Sequence, residues 1–314
     1  MEQIIAYAVF YFCILILGTI SGIFSERAGI VNIAINGFMI FGAIMYVLFG
    51  VLLTDVIFQK ELSGWVQIPL TIIAVAMSAL FSLLFGLATI RLKADQTISG
   101  FAINILAGGI TALLVLLLIG IQNAGSSVTW KIQSLSMSEA QNKYLDIVSF
   151  KTFITIIVVA VAWFAMRKTR WGLRFRSIGE NPQAADVAGI NVNKIKWQAV
   201  MLAGSIAGLA GSLYAQARAQ DFSITKEVDG LGFLALAIMI TSRWKISLSI
   251  PMSAAFAFLL SFSVYGSGVL QSSQKYLDLF RILPYVVTLA IMVFTSKNTV
   301  GPAAAGIPYD KSKR

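Results

Sequence analysis

The chain has 314 residues, of which 58% are hydrophobic and 12% charged. A water-soluble domain carries about twice that charged fraction, so the composition excludes an ordinary globular protein and points to lipid as the main solvent. The net charge of +10 would suggest nucleic acid in a soluble chain. Here the basic residues fall in short segments between apolar stretches, the pattern that sets membrane orientation, and nucleic acid is not expected as a partner.

A helix crossing the hydrocarbon core needs about 20 mostly apolar residues. Uncharged stretches run from Gln3 to Ser25, Ala28 to Thr54, Leu62 to Ile90, Gln96 to Trp130 and Thr152 to Met166. Others run from Trp197 to Ala217, Gly230 to Ser242, Ile246 to Gln274 and Ile282 to Ser296. The opening Met1-Glu2-Gln3 lacks the basic segment of a secretory signal, so the first stretch is read as a retained span. The stretch from Gly230 to Ser242 is too short for an ordinary crossing, and Gly230 and Gly232 predict a broken or re-entrant helix there. A compensating break is expected at Gly29-Ile30-Val31-Asn32-Ile33-Ala34-Ile35-Asn36-Gly37. One interruption in each half is a pattern of transporters that bind solute near the bilayer midplane.

The expected fold is an all-α polytopic membrane protein with about 8–10 transmembrane helices, one or two of them broken or re-entrant, arranged as a two-half pseudo-repeat. The expected divisions are an N-terminal membrane half (1–166), a basic cytoplasmic loop (167–196), a C-terminal membrane half (197–298) and a tail (299–314). The loop carries Arg167, Lys168, Arg170, Arg174, Arg176, Lys194 and Lys196 against Glu180 and Asp186, which places it in the cytoplasm. Arg91-Leu92-Lys93, Arg243-Trp244-Lys245 and the tail with Lys311, Lys313 and Arg314 then fall on the same side. This gives an outside N-terminus and a cytoplasmic C-terminus.

The chemistry on offer is narrow. Cys13 is the single cysteine and there is no histidine, so no internal disulfide, metal site or histidine base is expected. No apolar stretch holds an acidic or basic residue away from its ends. Such a residue costs about 2.5–3.5 kcal/mol at mid-bilayer and is retained mainly for ion or proton work. Its absence argues against proton coupling, a charged pore ring and a paired-carboxylate protease. No Gly-Lys pair occurs, so there is no P-loop. Energy for uphill transport must come from a partner or from an ion held by neutral oxygens. No catalytic residue is expected.

What remains in the spans is neutral. Asn32, Asn36, Thr97, Ser99 and Asn104 offer hydrogen bonds, and Phe38, Phe101 and Phe233 could stack on a ring. These eight are the candidate substrate-pathway residues. The alternative for each polar one is a hydrogen bond between helices, worth about 0.6 kcal/mol on average. The runs Ala107-Gly108-Gly109 and Ala203 to Gly211 read as close helix packing. In the basic loop, Asn181 can cap a helix whose first residue is Pro182, and Gly189 can end it. Ala184, Ala185 and Ala188 would leave much of that helix surface small. It is either an ordinary surface helix or a docking site for a cytoplasmic partner.

Several segments in order resemble the permease subunits of branched-chain amino acid and simple-sugar ABC importers, most closely the nucleoside-type permeases. They are Ser25 to Ile33, Ala94 to Asn104, Gly179 to Ile190 with Gly204 to Gly211, and Gly230 to Ala237 ending at Arg243-Trp244. The tail from Leu283-Pro284-Tyr285 to Gly306-Ile307-Pro308-Tyr309 is also similar. The family usually carries a glutamate where this chain has Asn36, and a glycine before Arg243-Trp244 with Asn-Pro after.

The resemblance implies an ATP-driven importer subunit without its own ATPase site or cofactor, ATP being bound by cytoplasmic ATPase subunits. It also implies a second, different permease and an extracytoplasmic solute-binding lipoprotein, all in a lipid membrane. Glu180, Asn181, Pro182, Ala184, Ala185, Gly189 and Ile190 would form the coupling segment. An uncharged pathway with amides and rings suits a neutral solute such as a nucleoside. A simple sugar or riboflavin on the same fold is the alternative, and a passive neutral-solute channel is the reading from another class.

Overall fold

The computed structural model describes residues 2–122, 127–129, 132, 135, 147–217, 228–265, 282, 286, 287, 290, 293 and 301–310. Its helices are α1 (Glu2–Arg27), α2 (Ile35–Val51), α3 (Gln67–Gly86), α4 (Gln96–Gln122) and α5 (Phe150–Lys168). They continue with α6 (Arg170–Glu180), α7 (Pro182–Val187), α8 (Val192–Ala217), α9 (Leu231–Thr241) and α10 (Ile246–Tyr265). π-helical turns prolong α2 through Ile57 and α3 through Arg91. Among the described residues, seven helices are long and apolar enough to cross a membrane, and α9 is a shorter apolar helix. The all-α polytopic expectation therefore holds. The last expected span, Ile282 to Ser296, lies largely outside the described residues, as do Lys311, Lys313 and Arg314.

Helix α2 is the axis of the bundle, with nearly every side chain buried. It lies against α8, α4, α3, α9 and α1, while α8 also covers α3 and α1. In lipid no hydrophobic effect draws helices together, so close backbone approach and interhelical hydrogen bonds must do so. Both occur here. A Cβ on Gly42 would collide with the backbone of Gly208, and one on Gly211 with the Met39 carbonyl. The Ser78 hydroxyl lies 3.0 Å from the Phe38 carbonyl and 2.9 Å from that of Gly204, joining α2, α3 and α8. Ser21 donates to Ala203 O at 2.8 Å, and Gln216 to Thr71 Oγ1 at 2.7 Å. The packing expected of the Gly204 to Gly211 run is present. At Gly109 it is not, because that residue faces outward with no atom within 4 Å of its would-be Cβ.

The expected interruption after the first span is real. Between α1 and α2 the chain leaves the helix over residues 28–34, and Gly29 turns it at φ +78°, which glycine adopts without a Cβ penalty. Backbone groups freed there are taken up by amide side chains. Gln96 Oε1 accepts from Val31 N at 2.6 Å. Asn104 accepts from Gly37 N at 2.7 Å and donates to Ile33 O at 3.0 Å. Asn32 Oδ1 accepts from Ala34 N at 3.1 Å.

The second interruption is also present. Helix α9 has 11 residues, or about 16 Å, roughly half the thickness of a hydrocarbon core. It runs in the same direction as the second half of α1. A Cβ on Gly18 would sit 2.9 Å from that of Ala235, and one on Gly22 2.7 Å from Met239 Sδ. Its first turn meets the other break, since Gly232 N donates to Asn36 Oδ1 at 3.2 Å.

Overpacking costs typically 1–3 kcal/mol. Gly42→Val should therefore lower the thermal unfolding midpoint of the detergent-solubilised protein clearly. Gly109→Val should leave it within error, and equal shifts for the two would contradict this packing.

Candidate functional site

The basic segment expected as a loop is two helices. Thr169 starts α6 by accepting from Gly172 N at 3.0 Å. Gly172, Phe175, Ile178 and Gly179 are buried while Leu173 and Arg174 are exposed, an amphipathic spacing readable in the sequence. The buried face is held by rings. Phe175 meets Trp171 at 4.3 Å and Phe24 of α1 edge-on at 6.0 Å. Trp171 also donates to Gln198 of α8 at 3.2 Å.

Helix α7 forms as its capping residues predict. Asn181 Oδ1 accepts from Ala184 N at 3.0 Å, and Pro182 occupies the first turn. Gly189 closes it at φ +82°, with Ile190 N donating to Ala185 O at 3.0 Å. Gln183, Ala184, Val187 and Ala188 are exposed, and Val187 is 77% so. Ala185 departs from the expectation: it is 4% exposed and faces the bundle. The side chain one position after Ala184 is rotated by about 100° on a helix, which takes it from the outer surface to the inner one. Behind α7 a depression of about 270 Å³ is lined by Asp186, Gly189, Ile190, Asn191, Val192, Asn193 and Tyr309.

A polar node lies where α6 and α7 join the bundle. The Arg27 guanidinium donates through Nε to Trp244 O at 3.2 Å and through Nη2 to Arg243 O at 3.5 Å. It also pairs with Glu180 at 3.7 Å. Its neighbour Glu26 is 7% exposed and accepts from Trp244 Nε1 at 2.5 Å; the Asn32 backbone N–H faces the same carboxylate. Arg243 and Trp244 both stand in the left-handed region, at φ +54° and +52°, a conformation costing on the order of 1–3 kcal/mol for each non-glycine residue. Residues 301–310 close over the node. Ala304 N donates to Gly179 O at 2.8 Å, and Asp310 pairs with Lys93 at 3.2 Å. The sequence reading missed Glu26, Arg27 and Trp244 as site residues. Their signal was present in the motif runs beginning at Ser25 and ending at Arg243-Trp244.

The pathway candidates separate into groups. Asn32, Asn36 and Asn104 surround the two interruptions and hold backbone there. Phe38 is buried between Phe81 and Phe85, edge-on at 6.3 and 6.1 Å. Thr97 and Ser99 sit in the first turn of α4, where Asp95 accepts from Thr97 N at 2.9 Å and from Ser99 Oγ at 2.7 Å. Phe101 is 50% exposed on the outer face of α4. Phe233 is 43% exposed at the start of α9, one residue from the Gly232–Asn36 contact.

Loss of a cap costs about 1 kcal/mol, within a range of 0.5–2. Asn181→Ala should therefore speed amide exchange across 184–188 several-fold, and Asn181→Asp should restore it. Unchanged exchange in Asn181→Ala would show that the cap does not hold α7.

No solved structure matches the chain. The model of the family described as "Branched-chain amino acid transport system / permease component" matches residues 4–295. The nucleoside ABC transporter permease protein NupC of Lactococcus lactis subsp. cremoris is 35% identical, over 100% of this chain and 98% of its own length. The guanosine ABC transporter permease protein NupQ of Bacillus subtilis is 36% identical, over 96% of this chain and 94% of its own. The putative glucose ABC transporter permease protein TsgC13 of Haloferax volcanii is 26% identical over 91% and 89%. A family model spanning nearly the whole chain, and full-length relatives above 30% identity, place this multi-pass membrane protein in the family of branched-chain amino acid transport system permease components, as an ABC permease.

Proposed function

We propose that the chain is one of two membrane subunits of an ATP-driven importer that carries a neutral nucleoside. The observation that carries this reading is the full-length identity of 35% and 36% to permeases named for nucleoside and guanosine transport. The chemistry of the chain agrees. Its spans hold amides, hydroxyls and rings and no charge at their centres, which suits a solute that is uncharged and aromatic on one side. The path would run past the two interruptions, where Asn36 holds Gly232 at the start of the half-helix α9 and Phe233 is the next residue along it.

ATP would bind ATPase subunits and not this chain, which has no Gly-Lys pair for a P-loop. Those subunits would dock on the exposed surface of α7, where Gln183, Ala184 and Val187 stand clear of the bundle. This end of the molecule also carries the basic clusters, so it would face the cytoplasm. A second, different permease would complete the membrane unit, and an extracytoplasmic lipoprotein would deliver the solute. Closure of the ATPases would displace α7 and its depression, and the displacement would change access to the pathway.

Proteoliposomes containing the assembled complex decide the matter. Uptake of labelled inosine should require ATP hydrolysis and be competed by guanosine, with ribose and riboflavin far weaker. Competition by ribose or riboflavin in place of guanosine would replace the nucleoside, and uptake persisting with a disabled ATPase would make the protein a passive channel. Val187→Glu buries an unpaired charge in the docking surface and should abolish ATPase co-purification; retained co-purification and uptake would remove α7 as the dock. Loss of a buried contact of this kind is worth on the order of 2–4 kcal/mol at an interface centre, or about 30- to 800-fold in affinity.

A further inference from the structure

We propose that Arg27 is a positioning residue that relays movement of α6 and α7 to the half-helix α9; the proposal rests on the importer reading above. Two segments remote in sequence from α1 meet at this one side chain. Glu180, at the junction of α6 and α7, faces Nη1 at 3.7 Å. The carbonyls of Arg243 and Trp244, in the turn that follows α9, accept from Nη2 and Nε. The backbone of Arg27 is pressed against Gly179, where any Cβ would strike the Arg27 carbonyl. The start of the coupling segment and the turn that follows α9 thus share a single guanidinium.

The rest of the geometry says what such a link would move. Carbonyls at a helix C-terminus have no intrahelical partner; at α9 the turn that follows supplies donors, Ser242 N to Ile238 O and Trp244 N to Met239 O, and Arg27 holds that turn through the carbonyls of Arg243 and Trp244. A lysine in its place could not fork between two carbonyls and a carboxylate, because only the guanidinium presents donors in several fixed directions. Beside it, Glu26 holds the Trp244 indole N–H and faces the Asn32 backbone N–H. Both interruptions are therefore tied to adjacent residues, Glu26 and Arg27, at the end of α1. Helix α9 spans only half the core, and its first turn bonds Asn36 through Gly232. A shift of its last turn is carried along a rigid 11-residue helix to Gly232 and Phe233. The turn that would shift is held with both Arg243 and Trp244 at positive φ, a conformation that persists only while its surroundings impose it.

The test uses the full complex in proteoliposomes and reads solute taken up per ATP hydrolysed. Arg27→Lys keeps the charge and loses the fork; Trp244→Phe keeps the ring and loses the indole N–H. Both should assemble with the ATPase subunits and hydrolyse ATP within about twofold of wild type, while uptake per ATP falls about tenfold, the size of effect expected when coupling between two sites is broken. A structural defect would lower assembly, hydrolysis and uptake together and leave the ratio unchanged, and that outcome in both variants overturns the relay. An unchanged uptake in either variant overturns it too. Should Arg27→Lys fail to assemble, the ratio in Trp244→Phe decides alone. Wild-type vesicles without ATP-driven uptake would overturn the importer reading itself, and the relay with it; normal wild-type uptake with an unaffected ratio would overturn only the relay.

Discussion

A backbone N–H or C=O inside a bilayer has no water to turn to, and each one left unpaired costs several kcal/mol. A chain that must interrupt its helices within the membrane therefore has to supply partners from elsewhere in the fold. Here the interruption between α1 and α2 is filled by Gln96 and Asn104 from α4 and by Asn32 from the segment itself. The start of α9 is filled by Asn36. These four amides explain why α2, α4 and α9 must sit where they do. Moving any of these helices would leave a donor or acceptor stranded in an apolar surrounding.

The same rule shapes the basic end of the molecule. Helix α9 stops after half a crossing, and the carbonyls of the turn that follows it meet the Arg27 guanidinium. Helix α6 is fastened to α1 by ring contacts and to α8 by the Trp171–Gln198 hydrogen bond, leaving α7 as the projecting part of the segment. Residues 301–310 then join Gly179 and Lys93. The result is a rigid platform with one small exposed helix, an arrangement that can receive a push from outside and pass it to segments that are already broken. Close packing through Gly42, Gly208 and Gly211 leaves the centre of the bundle little room to absorb such a push.

The residues nominated from sequence fared according to how local their determinants are. The α7 caps are legible because Asn181 and Pro182 act on the first turn and Gly189 lies just past the last one. Helix α6 was equally legible in the spacing of Phe175 and Ile178, but its dense basic residues disguised it as a loop. Ala185 is expected on the outer surface with Ala184 and is buried, because a six-residue helix with two adjacent alanines carries no apolar stripe to orient it. Asn32, Asn36 and Asn104, the amides among the pathway candidates, stand out in the sequence as polar residues in apolar stretches. That each is engaged with backbone depends on which helix lies opposite, and no spacing rule encodes that. Thr97 and Ser99 belong to the first turn of α4, because Asp95 starts the helix there.

The membrane class, the all-α architecture, the two interruptions and the capped helix in the basic segment are all legible in the chain before it folds. Each follows from composition, span length or chemistry within a few neighbouring residues. It takes the folded bundle to bring the two interruptions together through Asn36 and Gly232, to hide Ala185, and to join Glu26, Arg27, Glu180 and Trp244 in one node. Those contacts join residues more than 150 positions apart. Their partners are chosen by which backbone groups the folded bundle leaves unpaired, and that is a property of the assembled helices that no single stretch of chain contains.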